Sequence, residues 1–435
     1  MEKKMMLVLF FCLAFGFAWA VDFNFFLLAG YEPTETGSLT VSTDPSLSPS
    51  LTVSWPVKGG ENGVPRATEG DYVLKLEWTN EPDKKIEIRH DFNTQFNLKG
   101  MTFLHVDIFI PVASAKPGQI GIWDDVFGWI SAGCTPRHLN EWYTISMAVS
   151  GRTQVGLNHI AALILENMPG TSGTAYIDNL RLSKSTEGYC MRKIFFSSYW
   201  WSVLQSDYPL GAGPNRYTDE PEDVYVDPNG ILHLPILKKN SDWYCSELIL
   251  NKNLHLGKYA FTVQGTEEPL DANVILGLFV YDVPDSLGNH REIDIEIATW
   301  GNANDPNTQY VIQPWNHAGN RHRFNTDIKK TNTHELTWLN KSVLFISYYG
   351  EFSLPNHQEP YQKWYYTGQD IPPLGTENVR INFYLRDGLP PGDGQNHEMI
   401  IKTFHFVPTG DLNADGIVDL IDFGQFTENW LVGME

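Results

Sequence analysis

Along most of the chain apolar and polar residues alternate with a period of two, the pattern of strands buried on one face. In the first half the runs "DYVLKLEWT", "KKIEIRHDF", "MTFLHVDIFI", "WYTISMAV" and "TAYIDNLRL" are separated by turn residues at sandwich-like intervals. A second series opens near Tyr189 with "FFSSYWW". It runs through "GILHLPIL", "WYCSELIL", "KYAFTVQG", "VILGLFVYD", "EIDIEIATW", "QYVIQPW", "HELTWL", "SVLFISYYG" and "VRINFYL" to "MIIKTFHFVP". Helical periodicity is confined to the tail, "GDLNADGIVDLIDFGQFTENWLVGME". Many strands and few helices predict an all-β protein, with two sandwich or jelly-roll domains in tandem and a short C-terminal calcium-loop helix, rather than an α/β enzyme. The divide is expected at "SKSTEG", giving domains over 21–184 and 188–408 and a tail over 409–435.

The first twenty residues, "MEKKMMLVLFFCLAFGFAWA", pair Lys3 and Lys4 with an apolar run and an Ala18-Trp19-Ala20 cleavage pattern. They predict a signal peptide over 1–20 and a secreted, extracellular chain with no membrane span. Past the signal the cysteines are Cys134, Cys190 and Cys245, which allow one disulfide and leave one thiol, with no pairing favoured. With 52 acidic against 31 basic residues the net charge is -21, which excludes a nucleic-acid partner. The 14 tryptophans and 19 tyrosines suit either a large β core or flat platforms for sugar rings.

"NHREIDIEIATWG" places Glu292, Asp294 and Glu296 on one face of a strand whose other face is isoleucine. Like charges so arranged repel, and solvent, a cation or chemistry must offset that cost. Glycoside hydrolysis needs such acids. One carboxylate works at the anomeric carbon and one carboxylic acid at the leaving oxygen, about 5 to 5.5 Å apart in retaining enzymes and farther apart in inverting ones. The outer glutamates have α-carbons about 13 Å apart by strand rise, so both side chains must lean in over Asp294. An aspartate between them can orient the nucleophile, and crowding raises the pKa of whichever acid stays protonated.

The run "REIDIEIATWG" resembles the E-x-D-x-E signature of glycoside hydrolase family 16, the jelly-roll family of laminarinases, lichenases, agarases, carrageenases and xyloglucan transferases. The similarity extends over roughly residues 190 to 408, through "LGKYAFTVQG", "NVILGLFVYD", "HELTWLNKSVLFISYYG" and "MIIKTFHFVP". It implies an endo-acting, retaining hydrolase of a β-linked polysaccharide, a β-glucan or an algal or plant galactan, with no cofactor for catalysis. By position Glu292 would be nucleophile, Asp294 its assistant and Glu296 the acid/base. Many β-glucan-cleaving members carry a W-P-A-x-W type pattern in the preceding strand, where this chain has Phe279 and Tyr281. A non-catalytic lectin-like protein and a transglycosylase stand as the alternatives.

Trp243, Tyr281, Trp300 and Trp315 are candidate sugar platforms, with Trp300 favoured because it keeps the parity of Glu296 if the strand continues. Gln309 and Gln313 are candidate hydroxyl partners. His317 and His322 have no spacing suited to a shared metal and read as surface or subsite residues. The first module is similar, in "GDYVLKLEW" and "TAYIDNLRL", to jelly-roll carbohydrate-binding modules. That likeness implies a structural calcium near Glu32 and Asp178 and sugar binding through Trp123 or Trp129. In the tail, Asp411, Asn413, Asp415, Ile417 by its carbonyl, Asp419 and Asp422 fall at calcium-loop positions, with Gly416 at the turn. The tail resembles one dockerin type I repeat, which implies structural Ca2+ and a cohesin-like scaffold or cell-surface partner.

Overall fold

The structure is a computed structural model and describes residues 25–43, 50–79, 86–110, 118–124, 128–152, 157–165, 172–184, 190–282, 291–353, 359–410 and 418. The expected signal peptide and all six calcium-loop residues, Asp411, Asn413, Asp415, Ile417, Asp419 and Asp422, lie outside the described residues. Among those described, the chain is strand throughout, with two short 3-10 turns at Pro33–Glu35 and Arg386–Gly388.

The first sandwich forms because each strand offers one apolar face. Gly173–Ser183 is the centre of one sheet, bonded to Phe103–Phe109 on one side and to Tyr72–Trp78 and then Phe25–Ala29 on the other. Thr52–Lys58 and Trp142–Ala148 extend that sheet. The facing sheet runs Leu39–Thr43, Ile86–Phe96, Leu157–Leu165, Gly118–Asp124, Gly128–Cys134. Leu74, Leu76, Val106, Ile108, Ile145 and Ile177 fill the space between them. Trp123 and Trp129 sit opposite one another in the last hairpin, and their rings lie outside what the structure describes.

The second sandwich is built from two layers of strands paired antiparallel, apart from Asn215–Tyr217, which pairs parallel with Asp242–Leu250. One runs Tyr199–Val203, Asp242–Leu250, Asn378–Leu385, Val274–Asp282, Arg291–Ile297, Thr308–Ile312, Arg321–Phe324. The other runs Tyr225–Val226, Leu232–Lys239, His397–Pro408, Gly257–Val263, Asn332–Leu339, Ser342–Tyr349, Gln362–Tyr366. "FFSSYWW" is the turn of the hairpin Met191–Phe196/Tyr199–Val203, with Ser197 and Ser198 both at positive φ, 49° and 68°. That left-handed pair matches the twist of a tight hairpin.

The two units are joined by strand pairing. Met191–Phe196 of the second pairs with Trp142–Ala148 of the first, so one sheet runs through the junction. Cys134 and Cys190 form the disulfide across it, and Cys245 remains a buried free thiol whose pKa burial pushes up to about 12. The outer face of the first sandwich's central sheet is polar yet buried. A bulge after Asp178, with Asn179 at φ 52°, keeps both Asp178 and Arg181 on it. Asp107, fully buried, accepts from Thr68 Oγ1 at 2.8 Å, Thr144 Oγ1 at 2.7 Å and Lys193 Nζ of the second unit at 2.7 Å. Arg181 lies 3.4 Å away, and the two cations, against the cost of burial, hold the Asp107 carboxyl far below its ordinary range.

Breaking a buried pair by removing one partner costs about 3–5 kcal/mol. Lys193→Ala is therefore expected to lower unfolding stability by about that much in urea melts followed by tryptophan fluorescence, whereas Lys75→Ala, at a surface pair with Glu77, changes it by under about 1 kcal/mol.

Candidate active site

The acid strand Arg291–Ile297 is central in its sheet, between Val274–Asp282 and Thr308–Ile312. Ile293, Ile295 and Ile297 are buried in the main core, which fixes the register and turns Glu292, Asp294 and Glu296 together onto the opposite face. Their cross-strand neighbours define rows. Glu292 faces Tyr281; Asp294 faces Phe279 and Val311; Glu296 faces Gly277 and Gln309. The next strand adds Asn378, Arg380 and Asn382, and the one beyond it Glu247. On the other side Arg321 and Arg323 continue the rows of Asp294 and Glu296. At Gly277 a β-carbon would stand 2.3 Å from Asn382 Oδ1, so only glycine leaves room there for the Asn382 amide in the Glu296 row.

The three acids do not share one protonation behaviour. Burial, then the charges of Glu292 and Glu296, raise the Asp294 pKa well above its ordinary value, and Asp294 shares a hydrogen bond with Glu292 that raises it further. Gln313 Nε2 donates to Asp294 Oδ2 at 3.1 Å and fixes the carboxyl from the other side. Glu296 is raised by burial to about 7, with the Glu292 charge adding and the Gln309 amide, Arg321 and Arg323 opposing. Gln309 Nε2 donates to Glu296 Oε2 at 2.5 Å.

Beyond the acids, Arg380 Nη1 donates to Glu247 Oε1 at 2.7 Å and its guanidinium lies 4.7 Å from the Tyr281 ring centre. Gln309 Oε1 and Asn382 Oδ1 are buried beside the acids without a partner among the described residues. Buried polar atoms are ordinarily paired, so these two are exceptions within the packed face. A carboxyl whose pKa burial raises to about 7 and a second carboxyl on the same strand face can together deliver one proton and one nucleophilic oxygen.

The platforms expected from sequence divide. Tyr281 borders Glu292. Trp315 follows the cis Gln313–Pro314 bond, is 54% exposed, and donates its backbone N–H to Gln313 Oε1 at 3.0 Å, one residue link from Asp294. Trp243 shares the face of Glu247 but packs against the core at the start of its strand. Trp300 does not keep the parity of Glu296, because the strand ends at Ile297 and Trp300 sits in a turn at φ 55° with its ring against the core. Gln309 and Gln313 hold the acids rather than standing free. His317 bonds Asp370 at 3.0 Å and His322 bonds Gln362 at 2.8 Å, so the two are parted. Arg380, Asn382, Glu247, Arg321 and Arg323 were not singled out from sequence. The signal was present in "VRINFYL", where Arg380 and Asn382 alternate with three buried apolar residues.

The pair expected to hold calcium in the first module contacts N–H donors. Glu32 Oε1 accepts from Asp71 and Tyr72, and Asp178 Oδ2 from Thr68 and Glu69. Such bonds compete with an oxygen cage for calcium rather than complete one. Elsewhere among the described residues His138, Asp219 and Glu220 meet at the junction of the units, where Arg137 lies 3.7 and 3.4 Å from the two acids as their countercharge.

No protein-family model and no curated protein matches the chain. Solved structures do resemble it. A prokaryotic β-1,3-1,4-glucanase (lichenase) from a mouse hindgut metagenome is 17% identical over 49% of this chain and 95% of its own, with a TM-score of 0.37. The Bacillus licheniformis β-glucanase is 14% identical over 48% and 92%, at 0.36. An immunostimulatory antigen and pseudo β-1,3-glucanase of Mycobacterium tuberculosis is 19% identical over 46% and 88%, also at 0.36. Likenesses at these identities and TM-scores decide nothing about chemistry, which rests on the side chains above.

Raised acids carry a thermodynamic signature. Unfolded Glu296 ionises near 4.5 and folded Glu296 near 7, so the folded state holds an extra proton between them and loses stability as pH rises through that window. Urea melts from pH 4.5 to 8 are expected to show this loss, on the order of 1 kcal/mol per pH unit, and Glu296→Gln to flatten it.

Proposed function

We propose that the chain is an exported, endo-acting glycoside hydrolase that cleaves a β-linked polysaccharide with retention of configuration. The observation that carries this reading is the placement of Glu292, Asp294 and Glu296 on one strand face, with the Gln309 amide on Glu296 and the Gln313 amide on Asp294, and with burial raising the Glu296 carboxyl to about 7. In this mechanism Glu292 attacks the anomeric carbon while Glu296 gives its proton to the leaving oxygen. Asp294, as donor, keeps Glu292 oriented until the bond forms. Once Glu296 has lost its proton it becomes the base that draws one from water, and the hydroxide oxygen displaces Glu292 from the sugar. The first sandwich as a sugar-binding module, calcium in the tail, and a scaffold or surface partner for that tail belong to the same proposal and rest on sequence likeness.

Reducing-sugar release from a panel of β-1,3-glucan, mixed-linkage glucan, xyloglucan, agar, porphyran and carrageenan tests it. Glu292→Gln and Glu296→Gln should each lower kcat/KM by about 10²–10⁴-fold or more without loss of the folded state by circular dichroism. Retention of substantial turnover in both variants removes the assignment. The pH profile gives a second test. Because the acid form of Glu296 does the work, kcat/KM is expected to fall above about pH 7. Gln309→Ala removes a donor that favours the ionised form, so this limb should move to higher pH; a move to lower pH contradicts the assignment of Glu296 as acid.

A further inference from the structure

The face that carries the acids also carries three guanidinium groups, although the whole chain has a net charge of -21. Arg321 and Arg323 lie two strands from the acids on one side and Arg380 two strands away on the other. Two of the three are neutralised at close range: Arg323 Nη1 by Asp305 Oδ2 at 2.9 Å and Arg380 Nη1 by Glu247 Oε1 at 2.7 Å. Arg321 is different. Among the described residues no carboxylate pairs with it, and its guanidinium stands 5.1 Å from the ring centre of Trp315, itself 54% exposed. A ring face holds a guanidinium in place without cancelling its charge, and leaves its donor fork free for a planar oxyanion.

Two strand spacings set Arg321 about 10 Å across the sheet from the acid row, within reach of a sugar unit beside the scissile bond. On the other side of the acid row the cation, Arg380, is already matched by Glu247. The asymmetry selects a substrate that brings its own negative charge to the Trp315 end. We propose that Arg321 and Trp315 form a subsite for an anionic sugar, one bearing a sulfate ester or a carboxylate, with Trp315 against the ring and Arg321 paired to the oxyanion. This deepens the glycosidase reading and rests on the same sheet face. General attraction cannot mimic it, because a strongly acidic protein repels polyanions everywhere except at a local cation.

The test measures binding in the full-length Glu292→Gln protein, so that it does not depend on turnover. Affinity electrophoresis is run through gels containing porphyran, carrageenan or their desulfated forms, and through gels containing a C6-oxidised β-glucan or its neutral parent. Charge-assisted pairing predicts that one charged polymer is bound about ten- to a hundredfold more tightly than its neutral counterpart. The sulfated and carboxylated arms tell the two anions apart. Adding Arg321→Gln should bring that ratio close to one, and Arg321→Lys should restore part of it. Equal binding of charged and neutral members in both arms, or a preference that survives Arg321→Gln, overturns the inference.

Wild-type protein assayed on the same polymers separates the two readings. Binding with the predicted preference but no reducing ends means the hydrolase reading fails and the anionic subsite stands. If Arg321 serves only to tune Glu296, Arg321→Gln shifts the pH profile alike on charged and neutral substrates and leaves the preference intact, which also overturns the subsite.

Discussion

Everything at the candidate site depends on the burial of three isoleucines. Ile293, Ile295 and Ile297 are locked into the core between the two sheets, and a strand has only two faces. Once those side chains are inside, Glu292, Asp294 and Glu296 must share the other face, whatever their mutual repulsion. A slip of one residue would put three acids into hydrocarbon, so the register is among the most strongly enforced in the molecule.

That enforced crowding creates the chemistry. Three carboxylates on one half-buried face cannot all ionise, and the neighbouring side chains determine which give way. Asp294 is disfavoured as an anion by burial and by the charges of Glu292 and Glu296, against the Gln313 amide, which favours it. Glu296 is pulled both ways, by burial toward its neutral form and by Gln309, Arg321 and Arg323 toward its charged form, and comes to rest near neutrality. The glutamines sit on Thr308–Ile312 and just beyond it, so they tune the acids without belonging to the motif. Gly277 contributes by having no side chain, which admits Asn382.

The junction between the sandwiches obeys similar physics at larger scale. A sheet face bearing His105, Asp107 and Asp178 would be expected at the surface, yet all three are buried. His105 is satisfied by Ser146 and Ser183, Asp107 by two cations and two hydroxyls, and Asp178 by backbone N–H groups. Lys193 brings one of those cations from the second unit. Strand pairing, a disulfide and a buried ion pair thus all fasten the second sandwich at Met191–Phe196, which makes it a continuation of the first rather than a tethered partner.

Period-two alternation made the strands and the all-β class readable from sequence, because a half-buried strand writes its two faces directly into residue order. The same alternation marked Glu292, Asp294 and Glu296 as neighbours on one face. Residues that share their face from other strands were hidden, since Arg321, Arg380 and Glu247 are brought onto it only through sheet register, which links positions far apart in the chain. The parity of Trp300 with Glu296 fails for the converse reason: parity holds only while the strand lasts, and Ile297 ends it. Sequence alone determined which face the acids would share. Tertiary structure decided what surrounds them, and so which one keeps its proton, because desolvation and charge depend on distance through space and not along the backbone.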